Sequence, residues 1–298
     1  MIAKNLVSVV IPTINLNQNL AKLLNQLIEA DFEIILVNQT GASIFDSTFR
    51  INKIKKFHEV IINSIIPAYS ARNLGASRAL CEYILFLDDD SIFFNKTYNL
   101  INGYISNYLS NDFFIFNRGY VQRGCYMSYN QPIKKFSIKH RISVSYLTEW
   151  SFCIRKSIFE KIGGFPPIGI GSEHRAQSGE AFVIFCNFRL ESDKIMYFEN
   201  VKISHPPYDS KKNVQLCLDY AYGSGYSVGF GLEKYHFLYK LYWYMKSFMA
   251  SFKFFVTLKN TPRPIEKISQ FYFRFNLFCS KNQGLFDSIF LKYPRRQT

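Results

Sequence analysis

The sequence predicts an α/β fold: a mostly parallel, doubly wound central sheet flanked by helices, followed by a helical extension rich in aromatic and basic residues. Three observations lead there. Leu6–Ile11 (LVSVVI) and Phe32–Val37 (FEIILV) are nearly continuous apolar runs, as strands buried on both faces require. Between them, leucines at 20, 23, 24 and 27 recur at helical spacing. Beyond about Pro206 the regular alternation gives way to a Tyr-, Gly- and Phe-rich region.

Taken in order, Leu6–Ile11 is a strand ended by Pro12-Thr13, and Asn15 to Ala30 is a helix. Phe32–Val37 is a second strand, ended by Asn38-Gln39-Thr40-Gly41, and residues 57–64 are a third. Residues 71–82 (ARNLGASRALCE) read as a helix with small residues on one side, leading into a short buried strand, Tyr83–Leu87. This β-α-β order favours parallel pairing with crossover helices. Further on, Phe113–Val121 and Thr148–Ile154 read as strands, and Lys134–Arg141 as a basic exposed stretch. Arg155–Ile162 is expected to be a helix stopped by Gly163-Gly164. A Gly-rich, flexible stretch follows from Phe165 to Glu180, then a helix over Ala181–Leu190 and a last strand over Ile195–Ser204.

Bulk composition narrows the function classes. The chain has 298 residues, 48% of them hydrophobic, enough for one large domain or two modest ones. A formal net charge of +14 points to an anionic partner: nucleic acid, acidic lipid or a phosphorylated substrate. The cysteines (81, 125, 153, 186, 217, 279) form no C-x-x-C pair, which argues against a zinc site or disulfide framework and for a reducing compartment. The amino-terminal residues run directly into a strand, with no secretory signal expected. Residues 235–258 are apolar and aromatic but carry Lys240, Lys246 and Lys253, which disfavours a spanning helix and suits one lying in a membrane interface or packed in a protein contact.

The chemistry concentrates at Asp88-Asp89-Asp90, directly behind the Tyr83 strand. Carboxylates are costly in a core unless they are paired or bind a metal, so they belong at the carboxyl edge of the sheet, where open α/β sheets bind ligands. Two aspartates one residue apart can hold a hard divalent cation, which can bridge to a diphosphate.

Four sets of residues now stand in order: Val10-Ile-Pro-Thr13; Ala71-Arg-Asn-Leu-Gly-Ala-Ser-Arg78; Leu87-Asp-Asp-Asp90; and Gly163-Gly-Phe165 with Gly169-x-Gly-Ser172, Ser178-Gly-Glu180 and His205-Pro-Pro207. Together they resemble family 2 of the nucleotide-sugar glycosyltransferases, with the GT-A fold, over residues 6 to about 207. The stretch from Lys161 to Glu180 resembles members that build bacterial capsular or lipopolysaccharide glycans. The resemblance implies a GT-A catalytic domain over 1–207 and a helical, basic and aromatic region over 208–298 contacting a membrane surface or a second subunit. It implies that Asp88, Asp90 and His205 hold Mn2+ or Mg2+ on the donor diphosphate. It also places Pro12, Thr13, Asn38, Gln39, Arg72, Asp88 and Asp89 against the nucleotide-sugar, a UDP-sugar. Asp89 contacts the donor or shapes the turn. Glu180 is the candidate general base for the acceptor hydroxyl, with Glu173 in reserve. Trp150 is either an acceptor platform or a core residue. Two departures stand out: Asn38-Gln39 replaces an Asp found in many relatives, and Glu180 is followed by Ala181 rather than a second carboxylate.

The resemblance implies an inverting, metal-dependent glycosyltransferase acting on a glycan or lipid-linked acceptor at the cytoplasmic face of the inner membrane, as a peripheral protein and possible homodimer. A non-catalytic basic protein binding membrane or nucleic acid is the competing reading, and the acidic corner, which repels a polyanion, argues against nucleic acid. A nucleotidyltransferase is disfavoured because Pro12–Asn17 lacks the Gly-rich basic loop such enzymes carry after the first strand.

Overall fold

A computed structural model of the protein describes residues 6–46, 56–129, 148–206, 214–256 and 270–290. Its strands are β1 (Val7–Thr13), β2 (Glu33–Asn38), β3 (Phe57–Ile61), β4 (Tyr83–Phe86), β5 (Ile92–Phe93), β6 (Phe113–Gln122), β7 (Cys125–Ser128), β8 (Phe152–Arg155) and β9 (Ile195–Ser204). The helices are α1 (Gln18–Glu29), α2 (Ala68–Arg78), α3 (Asn99–Asn107), α4 (Lys156–Lys161), α5 (Glu180–Glu191), α6 (Val214–Gly231), α7 (Phe237–Val256) and α8 (Gln270–Phe290). Chain contacts divide into two units. One holds Met1–Ile66, Ser70–Gly164 and Phe188–Pro207, and the other Pro67–Tyr69, Phe165–Asn187 and Tyr208–Thr298. Thus the stretch from Phe165 to Asn187 groups with the C-terminal helices, whereas the sequence reading drew one boundary at 207.

The first unit is built on one mixed sheet in the order β3-β2-β1-β4-β8-β6-β9-β5, with β7 on the edge of β6. The four strands β3, β2, β1 and β4 are parallel, as crossover connections through α1 and α2 demand. β8 enters antiparallel between β4 and β6, and β6 then pairs parallel with β9. The expected α/β class therefore holds. β2 is buried at every residue, which its unbroken EIILVN requires. α1 lays Leu20, Leu23, Leu24 and Leu27 into the core, and its start is fixed by Asn17, whose Oδ1 accepts from the Asn19 and Leu20 amides.

Several boundaries differ for local reasons. Thr148–Ser151 is a turn and not strand, because the Ser151 amide donates to the Thr148 carbonyl (3.1 Å) and the two hydroxyls bond at 2.9 Å. α2 stops at Arg78, and the Leu80 amide then turns to the buried carboxylate of Glu33 (2.9 Å). α4 ends as expected: Gly163 and Gly164, at φ +85° and +71°, send their amides back to Glu160 and Phe159. β5, β7 and α3 were not anticipated. Lys134–Arg141 and Pro207 lie outside the described residues.

The second unit is helical. α6 and α8 approach so closely that a β-carbon added at Gly225 or Gly284 would strike the facing backbone, at Lys281 and Tyr222 respectively, and one at Gly229 would strike Ser288. Small residues let helix backbones meet this way. Polar bonds fix the register: Tyr222 Oη donates to Asp287 (2.8 Å) and Ser280 Oγ to the Leu218 carbonyl (2.7 Å). A small core of Ile168, Ala176, Val183, Tyr222 and Tyr226 ties the 165–187 stretch to α6. No described helix is long and apolar enough to cross a membrane.

Candidate functional site

The acidic corner forms where β1, β4 and β9 end and β5 begins. The Leu87 amide still bonds to Val10 (3.1 Å), so Asp88–Asp90 continue past Pro12 and Thr13. Behind them the chain turns sharply: the Ser91 amide donates to the Asp88 carbonyl (3.0 Å). β5 follows at once and pairs with the end of β9 through Ile92 and Ser204. That pairing carries His205 to the carboxylates: Nε2 lies 2.9 Å from Asp90 Oδ1 and 3.6 Å from Asp88 Oδ2. From the α2 side, buried Arg72 reaches Asp88 Oδ1 at 2.7 Å.

The electrostatics of the corner follow from burial and crowding. Burial pushes the Asp89 carboxyl up to about 6, with Asp90 and Asp88 adding to the shift and the Thr13 hydroxyl, which donates to Oδ2 at 2.6 Å, opposing it. Burial draws the His205 pKa down, but Asp90 and Asp88 outweigh it and hold the imidazole above its ordinary value. His205 Nδ1 donates to the Pro206 carbonyl (2.7 Å), which turns Nε2 toward the aspartates. Trp150, 7% exposed, stacks on the imidazole at 5.0 Å between ring centres.

Two carboxylates and an imidazole are the right donor types for Mn2+ or Mg2+. Spacings near 3 Å are those of adjacent donors around an ion that holds its ligands at about 2.1 Å. The corner is nevertheless closed by its own ion pairs. Among the described residues no three His, Cys, Asp or Glu side chains converge as a ready cage. A cation bound here would have to part His205 from Asp90 or Arg72 from Asp88.

The loop after β2 behaves differently from its sequence-based expectation. Asn38 does not offer a free amide. Its NH2 group donates to Glu59 Oε1 and to the Ala42 carbonyl, both at 2.7 Å, and its oxygen accepts from the Thr40 amide and hydroxyl (3.0 and 2.8 Å). Glu59 from β3 also takes the Ser43 hydroxyl and the Ile44 amide. Gln39 is buried, and its Oε1 holds the Ile66 amide at 2.7 Å. Both residues shape the loop.

Glu180 and Glu173 belong to the second unit. Glu180 opens α5 and is 2% exposed, whereas Glu173 sits on the exposed side of its loop. The loop from 165 to 180 is stitched rather than loose. Gln177 Nε2 donates to the His174 carbonyl (2.5 Å) and its Oε1 accepts from the Gly171 amide (3.1 Å). His174 Nδ1 accepts from the Ala176 amide (2.9 Å), and burial lowers its pKa to about 4. Gly169, at φ +100°, leaves the space the Glu180 carboxyl fills: a β-carbon there would overlap Oε1 and Cδ and come within 2.9 Å of Cγ.

Residues 8–163 match the family model described as "Glycosyl transferase family 2". The chain belongs to glycosyl transferase family 2. No curated protein matches it. Solved structures of TarS from S. aureus share its fold. One full TarS structure superposes at TM-score 0.53 with 15% identity, covering 95% of this chain and 55% of that one. The TarS 1-349 fragment in complex with UDP-GlcNAc gives TM-score 0.53 at 13% identity, covering 95% and 91%. The same fragment in complex with UDP gives 0.53 at 15%, covering 98% and 94%. The chain thus spans about half the length of full TarS and nearly all of the fragment. At such identities the likeness speaks to the GT-A-like fold alone.

Within this family 2 chain, the first unit brings Thr13, Arg72, Asp88, Asp89, Asp90 and His205 into one corner and leaves Asn38 and Gln39 in a structural loop. Sequence reasoning gave Trp150 as an acceptor platform or a core residue, and it is in the core, but the reading missed its stacking on His205 and missed Glu59, which holds Asn38. Nothing in the linear spacing links residues 150 and 205 or 38 and 59. Gly169 had a signal in the Gly169-x-Gly171 pattern, but not its partner.

Proposed function

We propose that the chain is an inverting, metal-dependent transferase that moves a sugar from a nucleoside diphosphate, a UDP-sugar, to a glycan or lipid-linked acceptor in cell-surface polysaccharide synthesis of the capsule or lipopolysaccharide type. The observation that carries this is the convergence of Asp88, Asp90, His205 and Arg72 at the carboxyl edge of the sheet in a family 2 chain. TarS, of similar fold, has been crystallised with UDP and with UDP-GlcNAc. Asp88, Asp90 and His205 would hold Mn2+ or Mg2+, which when bound neutralises charge on the departing diphosphate. Arg72, paired with Asp88 at 2.7 Å, would supply the positive charge that meets a phosphate oxygen of the donor. Thr13 holds Asp89 in place at the floor of the corner. Glu180 takes the proton of the acceptor hydroxyl as the new bond to the anomeric carbon forms on the face opposite the breaking bond to the diphosphate oxygen. Glu173 is the alternative base. The C-terminal helices are read as the contact with the cytoplasmic face of the membrane, or with a second subunit.

The test is UDP binding by calorimetry with and without Mn2+, followed by a screen of UDP-sugars for turnover. Asp88→Ala and Asp90→Ala are expected to lose the metal-dependent part of binding and to lower turnover by at least about a thousandfold. Metal-independent UDP binding, unchanged in both variants, would sink the reading.

A further inference from the structure

Helix α7 is apolar without being buried. Of its 20 residues, Ser251 alone is buried among those whose side chains are described. A helix that is apolar nearly all round belongs in a core or against lipid. At 100° per residue, Leu238, Leu241, Met245, Phe248, Met249 and Phe252 share one arc of about 100°. Each of the six is between 42% and 66% exposed. Ser251 lies about 60° beyond the edge of that arc opposite Lys246 and Lys253 and meets Asn282 of α8, whose Nδ2 donates to its hydroxyl at 3.1 Å. The apolar surface continues onto α8 through Phe255, whose ring lies 5.5 Å from Phe271 and 5.9 Å from Phe275.

The flank of the arc is basic. Lys246 and Lys253 lie within roughly 60° of its edge on the helical wheel. Lys246 Nζ sits 4.2 Å from the centre of the Trp243 ring and 5.7 Å from that of Tyr242. A cation over amphipathic rings beside an apolar stripe is the arrangement of an interfacial helix. α7 contains no acidic residue, and Asp287 is the one acid of α8, already bonded to the Tyr222 hydroxyl. A second copy of this face therefore brings nothing acidic to meet the lysines. A surface of anionic phospholipid does, and the net charge of +14 acts in the same direction.

We propose that this face of α7, continued over Phe271 and Phe275, seats in the interfacial layer of an anionic phospholipid bilayer. The apolar arc enters the acyl boundary, and Lys246 and Lys253 take the headgroup phosphates. This deepens the membrane reading given above by assigning it residues and a lipid charge, and it does not depend on the sugar-transfer chemistry.

The test is cosedimentation of the full chain with vesicles of phosphatidylcholine alone or mixed with phosphatidylglycerol, read beside Trp243 quenching by brominated acyl chains. Binding is expected with the anionic vesicles and to be weak on phosphatidylcholine. Lys246→Ala with Lys253→Ala should lower partitioning about 25-fold. Leu238→Ser with Met245→Ser and Met249→Ser should abolish it, as should raised salt for the charge-dependent part. UDP binding by calorimetry should persist in both variants and certifies that they fold. Three results would overturn the proposal: no binding to either vesicle; binding indifferent to these substitutions; or, by ultracentrifugation, a dimer that the triple variant dissolves while vesicles are ignored. A chain that binds vesicles but not UDP would instead refute the transferase reading and leave this one standing.

Discussion

Gly169→Ala probes the candidate base, Glu180, without replacing it. Alanine at φ +100° costs about 1–3 kcal/mol in backbone strain. The larger effect is steric. The new β-carbon would sit 2.9 Å from Glu180 Cγ and on top of the carboxyl itself. Ordinary carbon contacts lie at about 3.5–4.0 Å, so Glu180 must retreat by roughly 1 Å at Cγ and further at the carboxylate. A displacement of about 1 Å in a positioned catalytic group costs on the order of a hundredfold in rate. The expected outcome is a kcat reduced about a hundredfold with UDP affinity, measured by calorimetry, within about twofold of the parent. The thermal midpoint should fall by several degrees. Glu180→Gln supplies the control, because an effect transmitted through Glu180 vanishes once that carboxylate is gone. Normal turnover in Gly169→Ala would refute the reasoning, and so would a further hundredfold loss when it is added to Glu180→Gln.

Three other outcomes are expected. Asn38→Asp replaces the amide that donates to Glu59 with a second carboxylate at 2.7 Å, so chemical denaturation should show a loss of about 1–3 kcal/mol at neutral pH. An unchanged stability would mean that Asn38 is not committed to the loop. Trp150→Ala removes the ring stacked on His205 and should weaken Mn2+ affinity about tenfold or more, with Trp150→Phe restoring most of it, as titration calorimetry would read. His174 titrates at about 4 in the folded chain against 6.5 ordinarily, so its contribution is complete above pH 6.5 and is lost as pH falls through 4. Partial solvent screening keeps that loss to at most about 3 kcal/mol. His174→Asn, which can still accept from the Ala176 amide, should flatten the acid limb of the stability profile.

Long-range burial left a clear mark on the sequence where one strand alone bears it. β1, β2 and β4 are continuous apolar runs because both their faces are covered, and α1 shows its leucines because one face is. The acidic corner was legible for the same reason: three carboxylates behind a buried strand have few affordable places to go. β5 was not legible, since two residues carry no periodicity, yet it is what aligns His205 with Asp90. α6 falls in the region read as helical, but its bounds were blurred by its glycines, which are poor helix formers and are present because a neighbouring backbone occupies the space their side chains would take. The role of Asn38 was hidden in β3, because Glu59 lies 21 residues away in the chain.

The α6–α8 seam has a consequence for how far the chain can be shortened. A groove floored by glycine has no side chains of its own with which to cover the backbone that α8 now covers. A polypeptide ending before residue 270 would leave the peptide groups around Gly225 and Gly229 facing water along a strip shaped to receive another main chain. Such a strip invites whatever segment comes first, so the truncated product is expected to clump rather than merely soften. α8 is in this sense the lid of a mould, and trimming it for easier handling would defeat the purpose.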